Sequence, residues 1–93
     1  MSQDVKPLTS AQIRAARALI RWSAEDLARR SLVSLRTIRR AELADGLTNM
    51  TAANDLSIRR ALELAGVEFT DENGGGAGVR PRKRTRTRKL RSD

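Results

Sequence analysis

EDLARRSLVSLRTIRRAE, residues 25–42, is the stretch on which the fold of this chain turns. Glu25 to Arg30 has the composition of a helix, Ser31-Leu32-Val33 interrupts it, and Ser34 is placed to begin another. A serine at such a break can accept a backbone N–H that the first turn of the next helix leaves unbonded. Two helices crossing through so short a turn ordinarily use a glycine there, because the chain must enter the left-handed region. Leu32 stands in that place, and for a residue with a Cβ the left-handed conformation costs about 1–2 kcal/mol. The apolar spacing on either side still agrees with a helix-turn-helix. Leu27 and Ala28 precede the turn, Val33 plugs it, and Ile38 and Ala41 seat the second helix.

The same start signal recurs outward from this stretch. Leu8-Thr9 precedes Ile13, Trp22-Ser23 precedes Leu27, and Val33-Ser34 precedes Ile38. Each sets a hydroxyl N-cap between an apolar pair at hydrophobic-staple spacing, and Thr9 with Gln12 and Ser23 with Asp26 add capping boxes. These signals predict helices over 10–21, 24–30 and 35–44. Helix 1 turns Ile13, Ala16, Ile20 and Leu19 toward a core, and Gly46 reads as the stop of helix 3. Thr48 or Thr51 caps a fourth helix that runs to Ala65 with Ile58, Ala61, Leu62 and Ala65 on one face. Asp55 interrupts that face, and Gly66 is its stop.

Beyond Gly66, Val67-Glu68-Phe69 alternates and TDENGGGAG (70–78) has turn composition, so Val79-Arg80 can pair back on 67–69. A lone hairpin is marginal in water. Residues 67–80 therefore read either as a short C-terminal β-hairpin, supported by the helices or by a second subunit, or as an irregular loop. The expected fold class is all-α: one domain of four helices, or five, over residues 8–66, between a disordered segment 1–7 and a basic tail 81–93 that lacks the apolar content to fold alone.

Composition narrows the chemistry. With 93 residues there is room for one modest core, and with Trp22 and Phe69 as the sole aromatics that core is aliphatic. Cysteine and histidine are absent, which excludes disulfides, thiolate or imidazole metal sites and every His- or Cys-dependent triad. Neither a metal nor another cofactor is expected, and no small-molecule site is evident. Glu25 and Asp26 stand at a helix start, where carboxylates suit the dipole, and no positioned base or nucleophile accompanies them, so an enzyme is not expected. No apolar run approaches the ~18 residues of a membrane span, so a soluble, cytoplasmic protein without membrane contact is expected.

The charge is uneven. Residues 1–79 carry 11 Lys/Arg against 10 Asp/Glu, whereas 80–93 carry 8 Lys/Arg against Asp93 alone. Such asymmetry points to a polyanion. Arg80, Arg82, Lys83, Arg84, Arg86, Arg88, Lys89 and Arg91 can neutralise phosphates without reading sequence, and counterion release makes such binding strongly salt-dependent.

WSAEDLARRSLVSLRTIRRAE (22–42) resembles the Cro/repressor-type (XRE) helix-turn-helix family, whose bacterial members often read W-S-Q-E-D-L-A-x-x-S-G-V-S-x-x-T-I-R-x-x-E. RALELAGVEFTDENGGGAGVR (60–80) is similar to the downstream part of a small bacterial subset that carries G-V-E-F and a glycine-rich turn. The resemblance covers residues 11 to 66 or so. It implies a sequence-specific, DNA-binding transcriptional regulator, with double-stranded DNA as partner. Leu35, Arg36, Arg39 and Arg40 then face the major groove, where arginine pairs with guanine edges. Arg21, Ser23, Ala24, Ser34 and Thr37 meet phosphates, in part through the N–H groups at the start of helix 2. Arg17 and Glu42 match positions that form a structural ion pair between helices 1 and 3. Besides Leu32, two positions depart from the pattern: Ala24 replaces a frequent phosphate-gripping glutamine, and Arg21 replaces a common glycine. Family members usually bind two half-sites as a homodimer; here the 67–80 ribbon and the exposed side of helix 4 are candidate dimer surfaces.

Two other functions fit the same residues. In one, the tail binds RNA or DNA without specificity and the helices are a scaffold. In the other, the fold covers a protein partner, as an antitoxin or anti-activator does.

Overall fold

Every helix begins on a hydroxyl residue. In the computed structural model, which describes residues 6–72 and 76–82, α1 (Ser10–Ile20) starts from Thr9, whose hydroxyl accepts the Gln12 N–H at 3.1 Å while Gln12 Oε1 accepts the Thr9 N–H at 3.0 Å. The helix α2 (Ala24–Ser31) repeats this box with Ser23 and Asp26. Ser34 caps α3 (Leu35–Leu43), and Thr51 caps α4 (Ala52–Leu64). Thr48 is not the cap of α4; it is buried, and its hydroxyl accepts the Met50 N–H within the preceding loop.

Gly46 does not end α3, which stops earlier, at Leu43, with Ala44 extended. The carbonyls freed at that end go to α1: Arg14 donates to the Glu42 carbonyl at 2.7 Å and Ser10 Oγ to the Ala44 carbonyl at 2.8 Å. Gly46, at φ +96°, lies in the following loop and offers its own carbonyl to the Ser10 N–H at 2.8 Å. Gly66, at φ +108°, does close α4, bonding back to the Glu63 carbonyl.

The core lies where α1, α2, α3 and α4 meet. Leu8, Ile13, Leu27, Ile38, Ile58 and Leu62 are fully buried, and each such side chain stabilises the fold by about 1.5–3 kcal/mol. Leu19 does not join them; it is exposed beside half-buried Ile20. Asp55, which breaks the apolar face of α4, accepts the Leu8 N–H at 2.9 Å and so anchors the entry to α1.

The all-α expectation is overturned. The strands β1 (Val67–Glu72) and β2 (Gly76–Pro81) pair antiparallel, with Phe69 opposite Val79 and Glu68 opposite Arg80, so the domain is α+β. The helices supply the support a lone hairpin lacks. Val67 is buried, Phe69 and Val79 pack against the core, and Gln12 Nε2 donates to the Gly78 carbonyl at 3.1 Å. Arg59 stacks over Phe69 at 5.3 Å and donates to the Lys6 carbonyl at 2.6 Å. Among the described residues there are four helices and no fifth, and none is long and apolar enough to cross a membrane.

The disorder expected for 1–7 and 81–93 falls mostly outside the described residues. At the described margins, Pro81 belongs to β2 and the Arg82 N–H bonds to the Gly66 carbonyl at 2.7 Å, so the tail begins later than its composition implied.

Candidate nucleic-acid interface

The reversal between α2 and α3 occurs at Leu32, with φ 63° and ψ 21°. Its N–H reaches the Ala28 carbonyl at 2.9 Å, and Ser31 Oγ accepts the Val33 N–H at 3.2 Å, closing the turn. The Leu32 side chain is 91% exposed while Val33 is buried. The turn is thus built without glycine, its strain borne by a residue whose side chain gains nothing from the core.

Beyond the turn α3 has two unlike faces. Ile38 and Ala41 are buried against the body, and Arg36, Arg39 and Arg40 are exposed on the other side. Among the described residues Arg36 and Arg40 have no hydrogen-bond or ion-pair partner, whereas Arg39 donates to Glu25 Oε2 at 3.0 Å. Leu35 is half-buried and packs on the core, so little of it faces outward.

The residues expected at phosphates are distributed around this face. Arg21 is exposed in a left-handed conformation at the end of α1, with φ 58°. Ser23 is exposed and occupied with its capping box. Ala24 is buried; its side chain belongs to the core, leaving only the main-chain N–H at the helix start for an anion. Ser34 Oγ donates to Thr37 Oγ1 at 2.9 Å and accepts the Thr37 N–H at 3.1 Å. A groove of about 490 Å³ separates the end of α3 from the first turn of α4, with Thr37, Arg40 and Asn54 on its walls.

Arg17 and Glu42 tie this assembly to α1. The guanidinium meets the carboxylate twice, at 2.6 and 2.8 Å, and gives a third bond to the Trp22 carbonyl at 2.9 Å. The Glu42 hydrogen bond, working against partial burial, raises Arg17 above its already high ordinary pKa, so the guanidinium stays charged. Asp26 is held below the usual carboxylate range, first by the Ser23 N–H and then by Arg29.

Of the tail residues, Arg80 and Arg82 are described; Lys83, Arg84, Arg86, Arg88, Lys89 and Arg91 lie outside the described residues. Arg80 pairs with Glu68 across the hairpin at 3.2 Å, so it acts within the sheet as well as adding to the basic run. The Glu25–Arg39 pair escapes a reading of the sequence, since it links two helices whose crossing angle no local pattern states. No protein-family model matches the chain, and no curated protein matches it.

Proposed function

We propose that this protein is a sequence-specific DNA-binding transcriptional regulator of the Cro/repressor type, acting at the nucleoid. The observation that carries the reading is the pair Arg36 and Arg40, exposed and unpartnered on the outer face of a helix whose inner face is buried directly after a tight turn. Guanidinium groups so presented can pair bidentately with guanine N7 and O6 in a major groove. The N–H groups opening α2 and the exposed Arg21 suit the flanking phosphates. The basic run from Arg80 to Arg91 adds salt-dependent, sequence-independent affinity.

Selection of binding sites from a random duplex pool tests the reading. The expected result is a preferred motif that Arg36→Ala and Arg40→Ala each relax at a defined position, at about 1–3 kcal/mol per guanine pair removed. A pool that returns no motif overturns it. The excess of basic residues after position 79 favours one second reading, a non-specific nucleic-acid binder driven by the tail. A chain ending at Arg82 separates the two: loss of all binding to the selected duplex supports the second.

A further inference from the structure

Arg39 differs from the other outward arginines of α3, and the inference drawn from this rests on the DNA-binding reading above. Its guanidinium reaches back across the turn to Glu25, in the first turn of α2. Both side chains are more than half exposed, at 56% and 55%, so the pair contributes little to folding. A carboxylate on a face turned toward a polyanion is unfavourable for general DNA binding, which raises the question of what Glu25 does there.

We propose that Glu25 is a specificity-determining positioning residue: it holds the Arg39 guanidinium toward the base edges and off the phosphates, so that Arg39 reads one guanine per half-site instead of serving as a general cation. A guanidinium has five N–H donors. Glu25 occupies one, and those remaining suffice for a bidentate pair with a guanine. Swinging to a phosphate means leaving Glu25, which then faces the negative backbone uncompensated. A guanine edge offers neutral acceptors and carries no such cost. When a duplex covers the pair and removes water, the attraction between the two charges rises as the effective dielectric falls. The restraint is therefore strongest in the bound complex, where it matters.

The test uses the full chain and four variants: Glu25→Gln, Glu25→Asp, Arg39→Ala, and Glu25→Gln with Arg39→Ala. Each is passed through binding-site selection and titrated with the selected and an unrelated duplex at two salt concentrations. Both side chains lie outside the core, and thermal melting checks that every variant folds. Glu25→Gln is expected to lose about tenfold in guanine preference at one position of the half-site. Its affinity for the unrelated duplex rises, and its log–log salt dependence steepens by about 0.9 as Arg39 takes a phosphate. Arg39→Ala loses preference at the same position, and adding Glu25→Gln to it changes that position no further. Glu25→Asp, which keeps the charge and shortens the reach, loses part of the preference.

Unchanged base preference in Glu25→Gln overturns the proposal. So does an effect of Glu25→Gln that persists in full when Arg39 is alanine, because Glu25 would then act as a bare charge. If the unaltered protein selects no motif at all, the DNA-binding reading itself falls, a result distinct from either of these.

Discussion

Leu32 and Arg21 occupy left-handed backbone conformations, at φ 63° and 58°, where glycine has no steric cost. At Leu32 the strain has no compensation, because the side chain is 91% exposed. Leu32→Gly is therefore expected to stabilise the domain by about 0.5–1 kcal/mol, the relief of left-handed strain less the added freedom of the unfolded chain. A rise in the urea midpoint with an unchanged slope checks it, and a fall shows that the leucine side chain stabilises the turn despite its exposure. Arg17 and Glu42 present the opposite case, with side-chain exposures of 23% and 10%. Removing either partner leaves the other charge in a partly buried site, at a cost below the ~3–5 kcal/mol of a fully buried pair. Arg17→Ala and Glu42→Ala should each lower the melting temperature sharply. The double variant should lose less than the sum, the mark of a coupled pair.

At the scale of elements, the capping box of α2 sets an acid limit. Asp26 titrates below its ordinary value because its carboxylate accepts the Ser23 N–H and meets Arg29. A carboxyl whose pKa is lowered on folding adds stability above its unfolded pKa and loses it as pH falls through the folded one. The stability difference between the unaltered protein and Asp26→Asn should thus be full near neutrality and vanish in acid below the ordinary carboxylate range; a difference independent of pH refutes this. The hairpin depends on a buried polar side chain of α1. Gln12 closes the α1 cap with Oε1 and donates through Nε2 to the Gly78 carbonyl. Gln12→Ala is expected to cost about 1–3 kcal/mol and to raise hydrogen exchange in β1 and β2 ahead of the helices. Equal exchange throughout the chain counts against an anchoring role. Arg59 stacks on Phe69 although its Nε is buried without a hydrogen bond, so cation–π attraction there offsets part of a desolvation cost.

For the whole molecule the decisive feature is the separation of charge. The chain up to residue 79 is nearly balanced, and the remainder holds 8 of its 19 basic residues. Specificity and affinity are accordingly expected from different places. A chain ending at Arg82 keeps the main-chain bond to Gly66 and the Glu68–Arg80 pair, so its fold is retained. Its affinity for every duplex should fall together, and its log–log salt slope should flatten by about 0.9 for each phosphate the tail no longer neutralises. The selected motif should stay the same. A changed motif would place base reading in the tail.

Legible in the chain alone is whatever acts within about one helical turn. Hydroxyl caps, staples and capping boxes join residues three to five positions apart, so the starts of α1, α2 and α3 are readable at Thr9, Ser23 and Ser34, as is the alternation of Val67 and Phe69. What ends α3 was not readable: Gly46 is not its stop, and Arg14 and Ser10 of α1 supply the groups that satisfy the carbonyls at its end. The choice between loop and sheet after Gly66 also belonged to the folded whole, since Gln12 meets Gly78 across 66 positions. So did the burial of Ala24 and the engagement of Arg39 by Glu25. Each of these depends on how the helices cross, and that angle comes from packing the whole core at once, which no local pattern encodes.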